Sequence, residues 1–318
     1  MLGSKQPLLI VLGPTAVGKT AFAVELADAL NAEIISGDSM QFYRYMDIGT
    51  AKIRPAEMLS AGGRLIPHHL IDILNPDEPM SVADFQAMAK TKIAEIAARG
   101  RLPMVVGGTG LYLQALADDY ALSEAAPSDE ALRAKLHADY LRLGAEAMHR
   151  RLAEVDAASA AVISCNDEKR LLRALEFFQL CGRPISEQGR AAQSPYNLLL
   201  IGLNRERAEL YRRIEKRVDI MLAEGLTAEV QMLLDMGYTE ECKPMQGLGY
   251  RQICQYLRGG LSLGEAADLI KRDTRRFAKR QLTWWRRDSR ICWQQADEHS
   301  GQNMPAEIAA LAARQFGL

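Results

Sequence analysis

Residues 13–20 read Gly13-Pro14-Thr15-Ala16-Val17-Gly18-Lys19-Thr20, and no other stretch restricts the fold of this chain so strongly. The run Leu8-Leu9-Ile10-Val11-Leu12 before it is short, continuous and apolar, as a strand buried on both faces must be. Ala21 to Leu30 after it reads as a helix. Strand, glycine turn, lysine, hydroxyl and helix in that order make a phosphate cradle, in which backbone N–H groups and a helix N-terminus face the anion. Lys19 adds a point charge for a terminal phosphate, and Thr20 offers a hydroxyl to a magnesium ion. The motif alone admits ATP as readily as another phosphorylated ligand.

The first third of the chain continues the alternation. Glu33 to Ser36 is a second short strand ending in the polar loop Gly37-Asp38-Ser39-Met40-Gln41. Ser81 to Ala98 has its apolar residues at helical spacing, with Ser81 and Asp84 placed to cap it. Leu102 to Val106 is a buried strand followed by Gly107-Gly108-Thr109-Gly110. Apolar strands alternating with helices predict an α/β fold, a parallel sheet covered by helices on both faces. Ligands in such sheets sit beyond the carboxyl ends of the strands, so the phosphate loop, Asp38 and Thr109 are expected to converge.

From about Asp118 the texture changes. Ala125-Ala126-Pro127-Ser128 is a break, and helices are expected over 131–143, 145–155 and 168–180, with Asn166 capping the last and Gly182 and Pro184 stopping it. The segment 119–191 reads as a helical insertion, leaving 1–118 and 192–318 as the core. Asn197 to Leu203 returns as a strand. Helices follow over 206–223, 227–236, 250–258 and 263–287, the last opened by the capping box Ser262 to Glu265, and a short strand at 290–293 ends the pattern before a last helix.

A chain of 318 residues is long for one compact core, consistent with a large domain and a smaller one. No apolar run approaches a membrane span, and Met1 to Gln6 is too short and polar for a signal peptide. Five cysteines without a C-x-x-C pair point to the cytoplasm. His68 and His69, adjacent, would face opposite ways on a strand and could not chelate one metal. The near-zero net charge hides a basic run from Lys271 to Arg290, which suits a polyanion or, alternatively, a solvated helix face balanced by acidic neighbours.

Three further sets of residues carry chemistry. Asp38, at a strand end beside a phosphate loop, can hold magnesium, take a proton from a nucleophile, or cap the strand as an Asx-turn. Arg213 and Arg217 share a helix face and suit a diphosphate, although pairing with Glu209 and Glu215 is equally open. The stretch Arg276 to Arg287 interleaves aromatic rings and bases, as RNA contacts do, with Phe277 and Trp284 expected as core anchors of that helix.

These blocks together resemble the bacterial tRNA dimethylallyltransferases (tRNA isopentenyltransferases of the MiaA type) over nearly the whole chain. The carriers are residues 13–20, Asp38-Ser39-Met40-Gln41 with Tyr43, Met46 to Lys52, Pro67 to Asp72, Gly107 to Tyr112, Asn166-Asp167 with Arg170 and Arg173 to Glu176, and Gly249-Tyr250-Arg251. The resemblance implies a P-loop NTPase-like sheet with a smaller all-helical insertion. It also implies a dimethylallyl group passed from dimethylallyl diphosphate to N6 of adenosine 37, in tRNAs reading codons that start with uridine.

On that resemblance Gly13, Thr15, Ala16, Val17, Gly18, Lys19, Thr20, Ser36 and Arg217 hold the diphosphate with Mg2+ at Thr20, and Asp38 is the general base. Thr109 contacts the bridging oxygen or substrate. The tRNA anticodon stem-loop is met by Asp38, Ser39, Met40, Gln41, Thr109, Arg133, Lys169, Arg170, Leu171, Leu172, Arg173, Gln246, Gly247, Leu248, Gly249, Tyr250 and Arg251. A monomer is expected, with no membrane partner. Two departures stand out. The zinc finger of eukaryotic relatives is not expected, since only Cys292 and His299 lie near the end, and Gln246-Gly247-Leu248 lacks the arginine some members place before Gly-Tyr. The competing readings are a P-loop kinase, prenyl transfer to a free adenine nucleotide, and a nucleotide-switched RNA-binding protein.

Overall fold

The computed structural model describes residues 5–122, 129–187, 193–296 and 303–318. The expected break at Ala125 to Ser128, and His299, lie outside the described residues. In chain order the elements begin β1 (Gln6–Leu12), α1 (Lys19–Ala29), β2 (Ala32–Ser36), β3 (His68–His69), α2 (Val82–Ala98), β4 (Leu102–Gly107) and α3 (Gly110–Ala117). Four helices follow: α4 (Glu130–Leu143), α5 (Ala145–Val155), α6 (Ala157–Val162) and α7 (Glu168–Cys181). The chain continues through β5 (Tyr196–Asn204), α8 (Arg207–Ala223), α9 (Leu226–Asp235), α10 (Tyr250–Leu257), α11 (Leu263–Trp285), β6 (Ile291–Gln295) and α12 (Met304–Phe316).

Two compact units result, one formed by Met1–Ala117 with Ser194–Leu318 and the other by Asp118–Gln193. The first holds a six-stranded sheet in the order β3-β2-β4-β1-β5-β6. Every pairing in it is parallel, as the apolar strands require. β1 lies between β4 and β5, with Leu12 level with Gly107 on one side and Gly202 on the other. Residues Leu8 to Leu12 are fully buried and alternate between two cores, Leu8, Ile10 and Leu12 facing one and Leu9 and Val11 the other.

The ends of β2 and β4 are drawn together where the chemistry was expected. A Cβ on Gly107 would stand 2.3 Å from the carbonyl oxygen of Gly37, so only glycine permits this approach. Phe42, Phe85 and Tyr112 stack in a triangle with centroid distances of 5.9, 6.2 and 5.1 Å, tying the loop after β2 to α2 and α3. Such pairs add about 0.5–1.5 kcal/mol beyond area burial. Ser81 caps α2 as read, accepting from Asp84 N–H at 3.2 Å, and Ser262 caps α11 in the same way.

The second unit packs Leu136, Met148, Leu152, Leu171, Leu172 and Leu175 around a small core of its own. Its last helix starts behind Asp167, whose carboxylate accepts the Arg170 N–H, so the cap expected at Asn166 stands one residue later. β3, α3 and α6 were not read from the sequence. His68 and His69 do form a strand, where His69 Nε2 lies 2.6 Å from Glu33 Oε2 and His68 Nδ1 lies 2.8 Å from the Ile66 carbonyl. Among the described residues no helix is long and apolar enough to cross a membrane.

Candidate active site

The phosphate loop opens directly from β1 into α1. Gly18 caps α1 in the left-handed region, and among the described residues no side-chain cap bonds the free N–H groups of the first turn. Ala16 is also left-handed, at φ 64°, the alternation that turns successive N–H groups toward one concavity. Lys19 Nζ donates to the carbonyls of Gly13 at 3.0 Å and Pro14 at 2.8 Å, which leaves its third proton for a ligand. The loop lines a cavity of about 940 Å³ together with Thr20, Asp38, Gln41, Arg213 and Arg217.

Asp38 stands where the sequence placed it, at the carboxyl edge of the sheet. Its Oδ1 accepts the Met40 N–H at 3.0 Å, so the Asx-turn is real, yet the carboxylate also lines the cavity. Burial pushes its pKa up, against the opposing pull of the Met40 N–H and the Lys19 charge. Burial likewise brings the Lys19 ammonium down to about 8, partly offset by Asp38 and reinforced by Arg217. The two groups line the same cavity, each making the other's charge easier to bear. Thr109 Oγ1 accepts the Ser39 N–H at 3.1 Å and lies 3.4 Å from Ser39 Oγ. Ser36 Oγ lies 3.1 Å from Gln41 Oε1, and the two line a small recess with Lys19, Thr20 and Asp38.

α8 supplies the remaining charge. Glu209 pairs with Arg212 and Glu215 with Arg275, so neither takes Arg213 or Arg217. Arg213 Nε donates to the Ala16 carbonyl at 3.0 Å, bracing the left-handed residue of the loop. Burial, and then Arg213, depress the Arg217 pKa, the signature of a cation set to meet an anion. No Arg217 hydrogen bond or ion pair is present among the described residues.

Gln281 of α11 completes the frame and was not singled out from the sequence. Its Oε1 accepts the Thr15 N–H at 2.9 Å and its Nε2 donates to the Gly108 carbonyl at 3.0 Å. A signal existed: Gln281 falls on the buried stripe of α11 with Ala278 and Trp285, a polar residue at an apolar position. The same stripe corrects the expectation for Phe277 and Trp284. Phe277 lines the cavity, and Trp284 is 36% exposed and lies over Gly110, so neither is a core anchor.

The residues expected to meet RNA divide into three groups. Gln246 is exposed, Gly247 abuts the Met40 methyl, and Leu248 is half-buried, which brings this turn beside the Asp38 loop. Arg251, Lys169 and Arg170 are exposed, with Arg251 paired to Asp273 and Arg170 to Asp167, while Arg133 and Arg173 share the buried Glu176 carboxylate. The side chains of Leu171, Leu172 and Tyr250 are 0%, 6% and 0% exposed. The two leucines are core of the helical unit and Tyr250 is core of the other. In the basic run, Lys271 and Arg275 are balanced by Asp219 and Glu215 on α8, while Lys279, Arg286 and Arg287 are exposed without ion pairs among the described residues.

Fold and site thus define the class: an α/β P-loop protein whose cavity presents helix-terminal N–H groups, Lys19 and Arg217 to an anion, with the half-buried Asp38 carboxylate beside them. The family model described as IPP transferase matches residues 41–288, and that described as isopentenyl transferase matches residues 6–66, which include the phosphate loop. The chain belongs to the IPP transferase family. It is 53% identical over 291 residues to the tRNA dimethylallyltransferase of Symbiobacterium thermophilum, covering 91% of this chain and 89% of that one. The full-length tRNA isopentenylpyrophosphate transferase of Bacillus halodurans, a crystal structure, superposes with TM-score 0.74 at 45% identity, covering 98% of this chain and 97% of that chain. A eukaryotic dimethylallyltransferase acting on tRNA gives TM-score 0.78 at 26% identity over 96% of this chain and 78% of that one.

Proposed function

We propose that this protein is a tRNA dimethylallyltransferase, moving a dimethylallyl group from dimethylallyl diphosphate to N6 of adenosine 37 in tRNAs that read codons starting with uridine. The observation that carries the reading is the half-buried Asp38 carboxylate lining the same cavity as the Lys19 and Arg217 cations. In this reaction the adenine N6 attacks the allylic carbon, the carbon–oxygen bond to diphosphate breaks, and Asp38 takes the N6 proton. Lys19, Arg217 and the N–H groups at the start of α1 stabilise the charge growing on the departing diphosphate. Thr109 holds Ser39, and with it the Asp38 loop, in register with β4.

Magnesium fits this donor set. It keeps several waters and takes one or two protein oxygens with substrate phosphates, and Thr20 lines the cavity at the N-terminus of α1. When bound, the ion neutralises diphosphate charge. The target base must leave its stack, which costs a few kcal/mol and favours an anticodon-loop nucleotide. Arg133, Lys169, Arg170, Arg173, Gln246, Gly247 and Arg251 are proposed to meet that RNA, with Lys279, Arg286 and Arg287 as further phosphate contacts. Action in the cytoplasm as a monomer is proposed with it; all five cysteines are free, and sedimentation tests the monomer.

The test is transfer itself. Purified protein with magnesium, labelled dimethylallyl diphosphate and unmodified tRNA should place label in the RNA. Asp38→Asn should retain tRNA affinity and lose about 10²–10⁴-fold in transfer rate. Turnover of ATP with no alkylated RNA would indicate a kinase, and label in free adenine nucleotides but not in tRNA would indicate the nucleotide-directed rival.

A further inference from the structure

One buried carboxylate away from the reacting groups has an unusual set of partners. Glu229 of α9 is 8% exposed. Its Oε2 accepts the N–H groups of Asp47 at 2.9 Å and Ile48 at 2.7 Å, while Oε1 accepts the Gly49 N–H at 3.0 Å and the Tyr250 hydroxyl at 2.7 Å. Three successive backbone N–H groups thus converge on one side-chain anion. Tyr250 closes the arrangement from behind, since a Cβ on Gly49 would stand 2.6 Å from its ring.

The turn so fixed leads into the site. Ile48, Ala51 and Ile53 line the same cavity as the phosphate loop, together with Met221 and Phe277. The turn is braced a second time by Lys52, whose Nζ meets Asp47 Oδ1 and Asp72 Oδ1 at 2.6 Å each and the Tyr43 carbonyl at 2.8 Å. A prenyl tail offers no polar handle, so its affinity depends on how closely apolar atoms are set around it. One methylene left without contact changes affinity about fourfold.

We infer that Glu229 and Tyr250 are positioning residues for the donor, fixing residues 47–53 as the wall that receives the hydrocarbon end of the diphosphate ester and sets which prenyl chain is accepted. The inference rests on the transferase reading above. It separates Tyr250 from RNA contact, since ring and hydroxyl are both spent inside the protein.

Tyr250→Phe keeps the ring against Gly49 and removes one bond to the carboxylate; Glu229→Gln sets an amide NH2, which cannot accept, against two of the four donors and takes the charge from the other two bonds. Steady-state kinetics should show the KM for dimethylallyl diphosphate raised roughly tenfold in either variant, with kcat and the KM for tRNA changed less than twofold. The preference for dimethylallyl over geranyl diphosphate should fall several-fold, a readout that general loss of stability would not move. Should Glu229→Gln fail to fold, Tyr250→Phe carries the test alone. Unchanged donor KM and preference in Tyr250→Phe, or a raised KM confined to tRNA, would overturn the inference. Wild-type protein that prenylates no RNA from any donor would instead sink the parent reading, and this one with it.

Discussion

Gln281 and Thr15, more than 260 residues apart in sequence, are joined by a 2.9 Å bond from the Thr15 N–H to the Gln281 amide oxygen. The other end of the same amide holds Gly108, next to Thr109, so one side chain of the basic helix ties the phosphate loop to the turn after β4. Gln281→Leu leaves the buried Gly108 carbonyl unmet, at about 1–3 kcal/mol, and frees the half-buried Thr15 N–H at less cost. We expect kcat/KM for the donor to fall by at least tenfold while tRNA affinity, measured by filter binding, stays the same. Wild-type kinetics in a folded Gln281→Leu protein would exclude this role.

The two shifted groups predict a bell-shaped pH profile for kcat/KM of the donor. The base proposed at Asp38 must be ionised to accept a proton, and burial raises its pKa, so activity should fall on acidification with a midpoint above the ordinary carboxylate value. Lys19 must be charged, and its pKa is lowered to about 8, so the alkaline limb should lie near there. In kcat that limb should move upward, because bound diphosphate favours the ammonium. Lys19→Arg, charged throughout the accessible range, should remove the alkaline limb if it retains turnover. A profile flat across that limb in the wild type would show that Lys19 does not titrate in the free enzyme.

Arg217 and Arg213 should behave differently despite sharing a helix face. Arg213 is committed to the Ala16 carbonyl. Arg217 has no such commitment, and losing its charge-assisted bonds to the donor is expected to weaken calorimetric binding of inorganic diphosphate about 10–100-fold in Arg217→Gln. Arg213→Gln should weaken binding less and lower the melting temperature more. Equal effects of the two on binding would mean that both guanidiniums grip the ligand directly.

Leu171→Ala should act through stability rather than through RNA. Its side chain is fully buried among Leu136, Met148 and Leu175, and such truncations cost about 2–5 kcal/mol. Denaturant unfolding of the chain should show that loss, with tRNA affinity preserved where the protein is folded. Lost affinity without lost stability would restore the contact role.

The sequence exposed those parts of the fold whose signals are local. Buried strands announce themselves as apolar runs, and α2 and α11 carry capping boxes that their bonds confirm. β3 escaped because two histidines carry no strand signal, α3 because a glycine-rich start looks like a turn, and α6 because six residues directly after α5 are too few to show a period. The site divides similarly. Lys19, Asp38 and Thr109 follow strands and could be placed by topology, whereas Gln281 reaches Thr15 and Gly108, and Glu229 the turn at 47–49, across more than 170 residues, with no short-range pattern to mark them. Leu171 and Leu172 lie on the inner face of α7, as their apolar spacing with Leu175 already indicated.

The place of β1 between β4 and β5 has a consequence for synthesis on the ribosome. By the time β4 has emerged, one side of β1 can be paired, but its other side waits for Tyr196–Asn204, which follow only after the whole helical unit has been made. Until then Leu8 to Leu12 present an open, apolar sheet edge, the kind that recruits other chains. A nascent protein halted short of residue 196 should therefore depend on chaperones, and the phosphate cradle reaches its working shape late, when the second half of the sheet closes over the first.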